Sequence, residues 1–114
     1  MVIDHIVIIS SSPSKKEAIA VIDSLLKDRL IACANIIPRI ESKFWWNQKI
    51  DKAKEVMIML KTRKANYGRI EKEIARLHSY DVPEIIAIPI IAGSRSYLQW
   101  MDGCLKHPSV GHKK

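Results

Sequence analysis

The sequence is poor in the residues that mark several large classes of protein. Its 114 residues contain only two cysteines and four glycines. The cysteines, Cys33 and Cys104, lack Cys-x-x-Cys spacing, so we interpret them as reduced thiols. There is no glycine-rich phosphate loop, no His-Glu-x-x-His and no Gly-x-Ser-x-Gly stretch. We therefore expect a protein that is not an enzyme.

Long apolar runs are also absent. No stretch approaches the roughly 18 apolar residues of a membrane span. The first ten residues, MVIDHIVIIS, lack a basic region, which is not typical of a signal peptide. We predict a cytoplasmic protein with no membrane partner. Its length suits one domain over residues 1–106, able to fold without a cofactor, with a polar tail over residues 107–114.

Positive charge exceeds negative charge in this chain. It has 19 Lys and Arg against 12 Asp and Glu, a net charge of +7. Such a balance suits nucleic acid, acidic ligands or an anionic surface. The basic residues are scattered, however, and in RIEKEIARL they alternate with acids at helical spacing. That pattern is typical of solvated helix faces, so we expect no nucleic-acid partner.

Apolar periodicity predicts four strands and three helices. The predicted strands cover residues 2–9, 32–46 with a bend at Pro38, 55–62 and 84–91. The first predicted helix ends near Arg29, the second covers residues 67–77, and the third covers residues 97–105. The first helix has two rival N-caps, Ser14 in a capping box with Glu17, and Ser12 before Pro13. The order is β-α-β-β-α-β and a short helix, an α+β ferredoxin-like split sandwich.

The hairpin between the second and third predicted strands is long for a domain of this size. It ends in three bulky aromatic residues, Phe44, Trp45 and Trp46. Two helices cover one face of a four-stranded sheet, so the other face is exposed or buried by a partner. Exposed aromatic surface of this kind usually belongs to an interface. We expect a homo-oligomer in which a neighbouring copy covers the hairpin.

Five short motifs resemble the CutA divalent-cation tolerance proteins over residues 6–100. They are LIACANIIP at 30–38, FWWNQK at 44–49, MLKT at 59–62, HSYDVPEIIAIPI at 78–90 and SYLQW at 96–100. The resemblance implies the ferredoxin-like fold and a homotrimer with extended hairpins. It also implies a role in tolerance of copper and other divalent cations, with Cu(II) or another divalent metal ion as the ligand.

The same resemblance implies candidate metal ligands, with departures. Where the family carries a cysteine on the first strand, this chain has Ser10. The family's His-His-Pro reads Leu77, His78, Ser79, so one histidine of the pair remains. Cys33 matches a cysteine on the family's second strand. The candidate metal ligands are therefore His78 and Cys33.

Each candidate ligand also has a purely structural interpretation. A histidine at a helix end commonly bonds a loop carbonyl, and one imidazole is not a metal site. Cys33 lies in an apolar strand, where a cysteine usually packs as a small apolar residue. Threefold symmetry would nevertheless gather copies of one residue around an axis, and so build a site that no single chain has.

A second group combines a cation, a carboxylate and aromatic side chains. Its members are Lys61, Tyr80, Glu84, Trp46 and Trp100. Lys61 ends the third predicted strand and Glu84 opens the fourth, where both would meet a neighbouring hairpin. The group suits a small polar ligand in a cleft between subunits. An ion pair that sets the register of the trimer explains the same residues without a ligand.

Three functions fit the predicted topology, and the residues of the sheet disfavour the third. The first is a trimeric copper-tolerance protein that binds metal ions weakly at or near subunit interfaces. The alternative is a trimeric regulatory protein that binds a small anionic metabolite between subunits, an expectation from fold analogy. An RNA-binding module has the same topology but needs stacking aromatics on its sheet, and the strands VIDHIVII and EVMIMLKT contain none.

Overall fold

A computed structural model describes residues 3–105 of the chain, and the predicted tail over 107–114 lies outside these residues. The elements are β1 (His5–Ser12), α1 (Lys15–Lys27), β2 (Cys33–Trp46), β3 (Lys49–Arg63), a 3₁₀ turn (Lys64–Asn66), α2 (Tyr67–Leu77), β4 (Ile85–Pro89) and α3 (Arg95–Cys104). Their order confirms the predicted β-α-β-β-α-β pattern with a C-terminal helix. No helix within the described part is long and apolar enough to cross a membrane.

The four strands form one antiparallel sheet in the order β2-β3-β1-β4. This order confirms the ferredoxin-like arrangement, in which β1 and β3 occupy the centre. The alternation of side chains along the central strands sends one set of residues towards α1 and α2. The fully buried residues of this layer include Ile8, Ile58 and Leu60 on the strands, and Leu25, Ile70 and Ile74 on the helices. The core therefore lies between the two helices and one face of the sheet.

The start of α1 is decided by a side-chain cap. The Ser14 hydroxyl accepts the backbone N–H of Glu17 at 3.1 Å, which confirms Ser14 as the N-cap. The other half of the predicted capping box is not formed, because the Glu17 carboxylate accepts the backbone N–H of Ser79 instead. The rival cap, Ser12, belongs to β1, which runs three residues beyond its predicted end. Residues 10–12 stay in the ladder opposite residues 56–58 of β3. Serine has a low propensity for strands. The backbone hydrogen bonds of the ladder do not depend on the side chain, so residues 10–12 remain in β1.

A polar link joins the two core-covering helices. The Ser24 hydroxyl of α1 donates to the Glu73 carboxylate of α2. The Arg76 guanidinium donates to both Glu73 oxygens, at 2.9 and 2.7 Å. Arg76 first, and then Ser24, lower the pKa of Glu73 to about 2. The carboxylate stays ionised at neutral pH and ties α1 to α2.

The β2–β3 hairpin is the longest feature of the molecule. At the usual rise per residue, the 14 residues of β2 span roughly 46 Å, which matches the longest dimension of 49 Å. Its register breaks between Ile37 and Ile40, which confirms a bulge at Pro38. Arg39 takes the left-handed conformation there, with φ 63°. A bulge of this kind bends the strand that carries it.

The sheet face opposite α1 and α2, called the open face below, is apolar along much of its surface. Its residues are Val7 and Ile9 of β1, Cys33, Asn35 and Ile37 of β2, Met57, Met59 and Lys61 of β3, and Ile86 and Ile88 of β4. Helix α3 covers only one end of it. Asp102 Oδ1 of α3 lies 2.9 Å from His5 Nε2 and 3.5 Å from Arg63 Nη1. Met101 of the same helix is fully buried.

The turn that closes the hairpin predicts a stabilising substitution. Asn47 and Gln48 are both left-handed, with φ of 50° and 65°. A two-residue hairpin turn of this geometry favours Asn-Gly. Because glycine adopts positive φ without the steric cost that glutamine carries, Gln48→Gly should stabilise the protein by about 0.5–1 kcal/mol. Urea denaturation measures the change, and Asn47→Gly is the matched control with a smaller expected gain. A loss of stability in Gln48→Gly would contradict the turn geometry.

Candidate functional site

His78 caps the end of α2, and its side chain is fully buried. Its Nε2 lies 2.6 Å from the Ser11 carbonyl oxygen, so Nε2 carries the hydrogen and donates. Its Nδ1 accepts the backbone N–H of Tyr80 at 3.0 Å. These two bonds define a neutral ring with one tautomer. Neither nitrogen has a free lone pair, so His78 would bind a metal ion only after breaking one of these bonds.

A carboxylate from the first helix completes this helix exit. Glu17 Oε2 accepts the backbone N–H of Ser79 at 3.1 Å and lies 3.4 Å from the Nδ1 of His78. The segment after α2 is thereby attached to both α1 and β1. The polar stretch 78–80 thus connects α2 to α1 and β1 through its own hydrogen bonds.

Tyr80 brings in a residue that sequence reasoning missed. Its hydroxyl donates to Glu55 Oε2 at 3.0 Å, and Glu55 is only 7% exposed. Burial first, and then the bond to Glu55, raise the pKa of the Tyr80 hydroxyl. Its ring also packs 4.8 Å from the His78 ring. One signal pointed to Glu55: it is an acid on the same face of β3 as Met57, where apolar residues prevail.

Cys33 lies on the open face, half-buried, opposite Lys61 in the ladder. Lys61 in turn pairs with Val7, whereas His78 bonds Ser11, four residues further along β1. The four residues from Val7 to Ser11 span roughly 13 Å along β1. Cys33 is also two strands away from β1, because β3 lies between β2 and β1. One chain therefore does not bring the two candidate ligands together. Within residues 3–105 there is no group of three or more His, Cys, Asp or Glu side chains that could hold a metal ion.

Lys61 and Trp100 lie near each other at the end of the open face that α3 covers. The Lys61 ammonium is 5.8 Å from the centroid of the Tyr97 ring, within cation–π range. Tyr97 packs against Trp100 with centroids 5.5 Å apart. Among the described residues Lys61 has no carboxylate partner. Tyr97 therefore joins Lys61 and Trp100 as a third member of this group, and its place in the SYLQW motif was the only signal for it.

The other members of the predicted cleft lie elsewhere. Glu84 is exposed just before β4, and its strand neighbour Ile85 pairs with Ser10 at the far end of the sheet. Tyr80 is at that same far end, whereas Trp46 is at the hairpin tip and 49% exposed. A single chain therefore distributes the five residues over three places, and only contact between copies would form one cleft from them.

Large apolar side chains are exposed on the open face, on α3 and along the hairpin. They are Ile37, Ile86 and Ile88 at 40–49%, Trp100 at 48%, and Phe44, Trp45, Trp46 and Ile50 at 39–72%. Contiguous exposed apolar surface on a small domain marks an interaction site. The arrangement can bury aromatic and aliphatic surface against a partner.

Similar proteins point to one family. The profile of the CutA1 divalent ion tolerance proteins matches residues 6–104. The divalent-cation tolerance protein CutA of Archaeoglobus fulgidus is 41% identical over 98 residues, which cover 86% of this chain and 95% of that protein. The chloroplastic CutA 1 of rice, Oryza sativa, is 35% identical over 87% of this chain, and the match spans 56% of the rice protein.

Solved structures agree with the sequence matches. The structure of the periplasmic divalent cation tolerance protein CutA from Archaeoglobus fulgidus superposes with a TM-score of 0.87 at 39% identity, over 90% of this chain and 99% of the other. CutA1 from Oryza sativa superposes with a TM-score of 0.88 at 34% identity, over 91% of this chain and 95% of the other. The chain belongs to the CutA1 divalent ion tolerance protein family.

Proposed function

We propose that the chain forms a cytoplasmic homotrimer that serves in tolerance of divalent cations and binds copper or another metal ion weakly near its subunit interfaces. The relatives' names support the role in divalent-cation tolerance. The number three rests on the resemblance to the family, and no catalytic step is part of the proposal.

The exposed apolar open face is the observation that carries this proposal. Burying one large aliphatic or aromatic side chain contributes about 1.5–3 kcal/mol. Several such side chains, including Ile86 and Ile88, are near half exposed in the single chain. Burial of these side chains by neighbouring copies would supply a driving force for assembly. A closed ring of three subunits leaves no subunit with an uncovered interface. The hairpin extends this surface far enough to contact a neighbour.

Metal binding in such a trimer would draw on several copies. One chain has no cluster of three donors among its described residues, so a site needs ligands from more than one subunit or from other side chains. Cys33 fits this requirement, because it is half-buried on the face that would be shared. The His78 ring fits it less well, because both nitrogens already have hydrogen-bond partners. We therefore favour Cys33 over His78 as a ligand.

Assembly through the open face is tested with a charge placed on it. Ile88 is 46% exposed on the open face, and Ile19 is 38% exposed on the outer surface of α1. Ile88→Glu should raise the trimer dissociation constant at least about a hundredfold, because a buried carboxylate costs several kcal/mol. Ile19→Glu, the matched control, should leave sedimentation unchanged. A wild-type protein that sediments as a folded monomer at micromolar concentration would contradict the proposal.

Metal binding is tested by equilibrium dialysis of the trimer against Cu(II). We expect the wild type to retain Cu(II) in a form that EDTA removes. His78→Ala should leave this retention unchanged but destabilise the protein by about 1–3 kcal/mol, because the Ser11 carbonyl and the Tyr80 N–H lose their partners. Loss of copper retention with unchanged stability would instead assign a ligand role to His78. No retention above that of a control protein would exclude direct binding.

The alternative function, binding of a small anionic metabolite, is favoured by one observation. Lys61 presents an ammonium beside Tyr97 on the open face, without a carboxylate partner among the described residues. Such a cation, buried between subunits, needs an anion. This alternative predicts that organic acids or nucleotides raise the melting temperature of the wild type but not of Lys61→Gln. A flat response across the panel would remove it.

A further inference from the structure

The two sides of the β2–β3 hairpin carry different side chains near its tip. Side chains alternate along β3, so Lys49 and Asp51 are on the same side as Met57 and continue the open face. Trp46 is directly opposite Lys49, and Phe44 is directly opposite Asp51, so both aromatic rings share that side. A neighbouring copy that covers the open face would cover this side of the hairpin and leave the other side exposed.

The other side of the hairpin, called the tip patch below, combines large apolar residues with lysines. Its residues are Trp45 and Ile50, directly opposite each other, and Lys43 and Lys52, also directly opposite each other. Trp45 is 72% exposed and Ile50 is 68% exposed. The tip patch continues the side of the sheet on which α1 and α2 pack, but at these exposures neither helix covers it.

The two lysines of the tip patch face each other without an anionic partner. Like charges that are directly opposite in a ladder destabilise the sheet. Neither the Lys43 nor the Lys52 ammonium pairs with a carboxylate among residues 3–105. Both lysines are exposed, so an anionic surface placed against the patch would offset their repulsion. The charge of the patch therefore favours an anionic partner over a neutral one.

An anionic lipid bilayer has the chemistry that fits both parts of the tip patch. Tryptophan is enriched at membrane interfaces, because its ring is apolar and its N–H donates a hydrogen bond. Lysine keeps its methylene chain on apolar surface while its ammonium extends to the headgroups. Single-stranded nucleic acid fits less well, because it binds through several stacking aromatic rings and the patch has one, beside the aliphatic Ile50.

We propose that the tip patch binds the surface of anionic lipid bilayers. Such a contact departs from the sequence-based expectation of no membrane partner, which considered only membrane-spanning segments and signal peptides. In the proposed homotrimer, threefold symmetry places the three tip patches at one height along the axis, where they can reach one flat surface together. Linked binding of three patches exceeds the affinity of one. The contact is separate from metal binding and goes beyond the proposed function.

The charge requirement is tested by co-sedimentation of the full-length protein with liposomes. Vesicles of phosphatidylcholine are compared with vesicles of phosphatidylcholine and phosphatidylserine. We expect binding to the anionic vesicles alone, and weaker binding at high salt. The double variant Lys43→Gln, Lys52→Gln should bind at least about tenfold more weakly. The matched control, Lys16→Gln with Lys72→Gln, removes the same charge from exposed positions of α1 and α2 and should stay within about twofold of the wild type.

The apolar requirement is tested at Trp45. Trp45→Ser should weaken vesicle binding at least about tenfold, because it removes a large apolar side chain. Val82→Ser is the matched control, because Val82 is 73% exposed and lies outside the hairpin. Lipids brominated on their acyl chains should quench the tryptophan fluorescence of the bound wild type. Trp45→Phe should lose most of this quenching, whereas Trp100→Phe, on α3, should retain it.

The outcomes separate this inference from the proposed assembly. Equal binding to both kinds of vesicle, or to neither, would overturn it, as would equal losses in the two double variants. Retention of single-stranded RNA that depends on Lys43 and Lys52, without vesicle binding, would assign the patch to nucleic acid instead. Sedimentation without vesicles reports assembly separately, so a monomer that binds anionic vesicles would contradict the trimer alone. Circular dichroism confirms that each variant keeps its fold.

Discussion

The structure depends on a sheet that is apolar on both faces while only one face has a full cover of helices. Helices α1 and α2 bury Ile8, Ile58 and Leu60 on one side, and on the other side α3 reaches only the end near His5 and Arg63. The open face therefore has most of its aliphatic and sulfur-bearing residues available for contact with other copies. Its length is extended by a hairpin whose aromatic tip is exposed within residues 3–105. The proposed assembly, and any chemistry at subunit boundaries, would follow from this unequal cover.

The polar segment after α2 has a different role from the one that its composition suggests. His78 bonds β1 through Nε2 and its own loop through Nδ1, while Glu17 receives the next backbone N–H. A buried neutral imidazole with two partners is a structural connector, because each of its nitrogens would leave an unsatisfied group if it turned to a metal ion.

Local patterns were enough for much of the fold. Three local features are set by neighbours in the chain, so periodicity and cap chemistry predict them: the Ser14 N-cap, the apolar stripe of Tyr67–Leu77 and the bulge at Pro38. The strand ends were harder to predict. Serines 10–12 have the composition of a loop but pair with β3, and β4 stops at Pro89, short of the predicted Ile91. Where a strand ends depends on its partner strand, which is distant in sequence.

The sequence by itself determined the order of the elements, the aromatic hairpin and the set of residues that could carry chemistry. The tertiary structure alone decided which of them meet. The register of the sheet separates Cys33 from His78. The Tyr80 hydroxyl donates to Glu55, and the Lys61 ammonium lies over the Tyr97 ring. The physical reason is that periodicity assigns a residue to a face of its own strand or helix, whereas contacts between faces depend on ladder register and helix packing. Those are properties of the folded chain, since they join residues far apart in sequence.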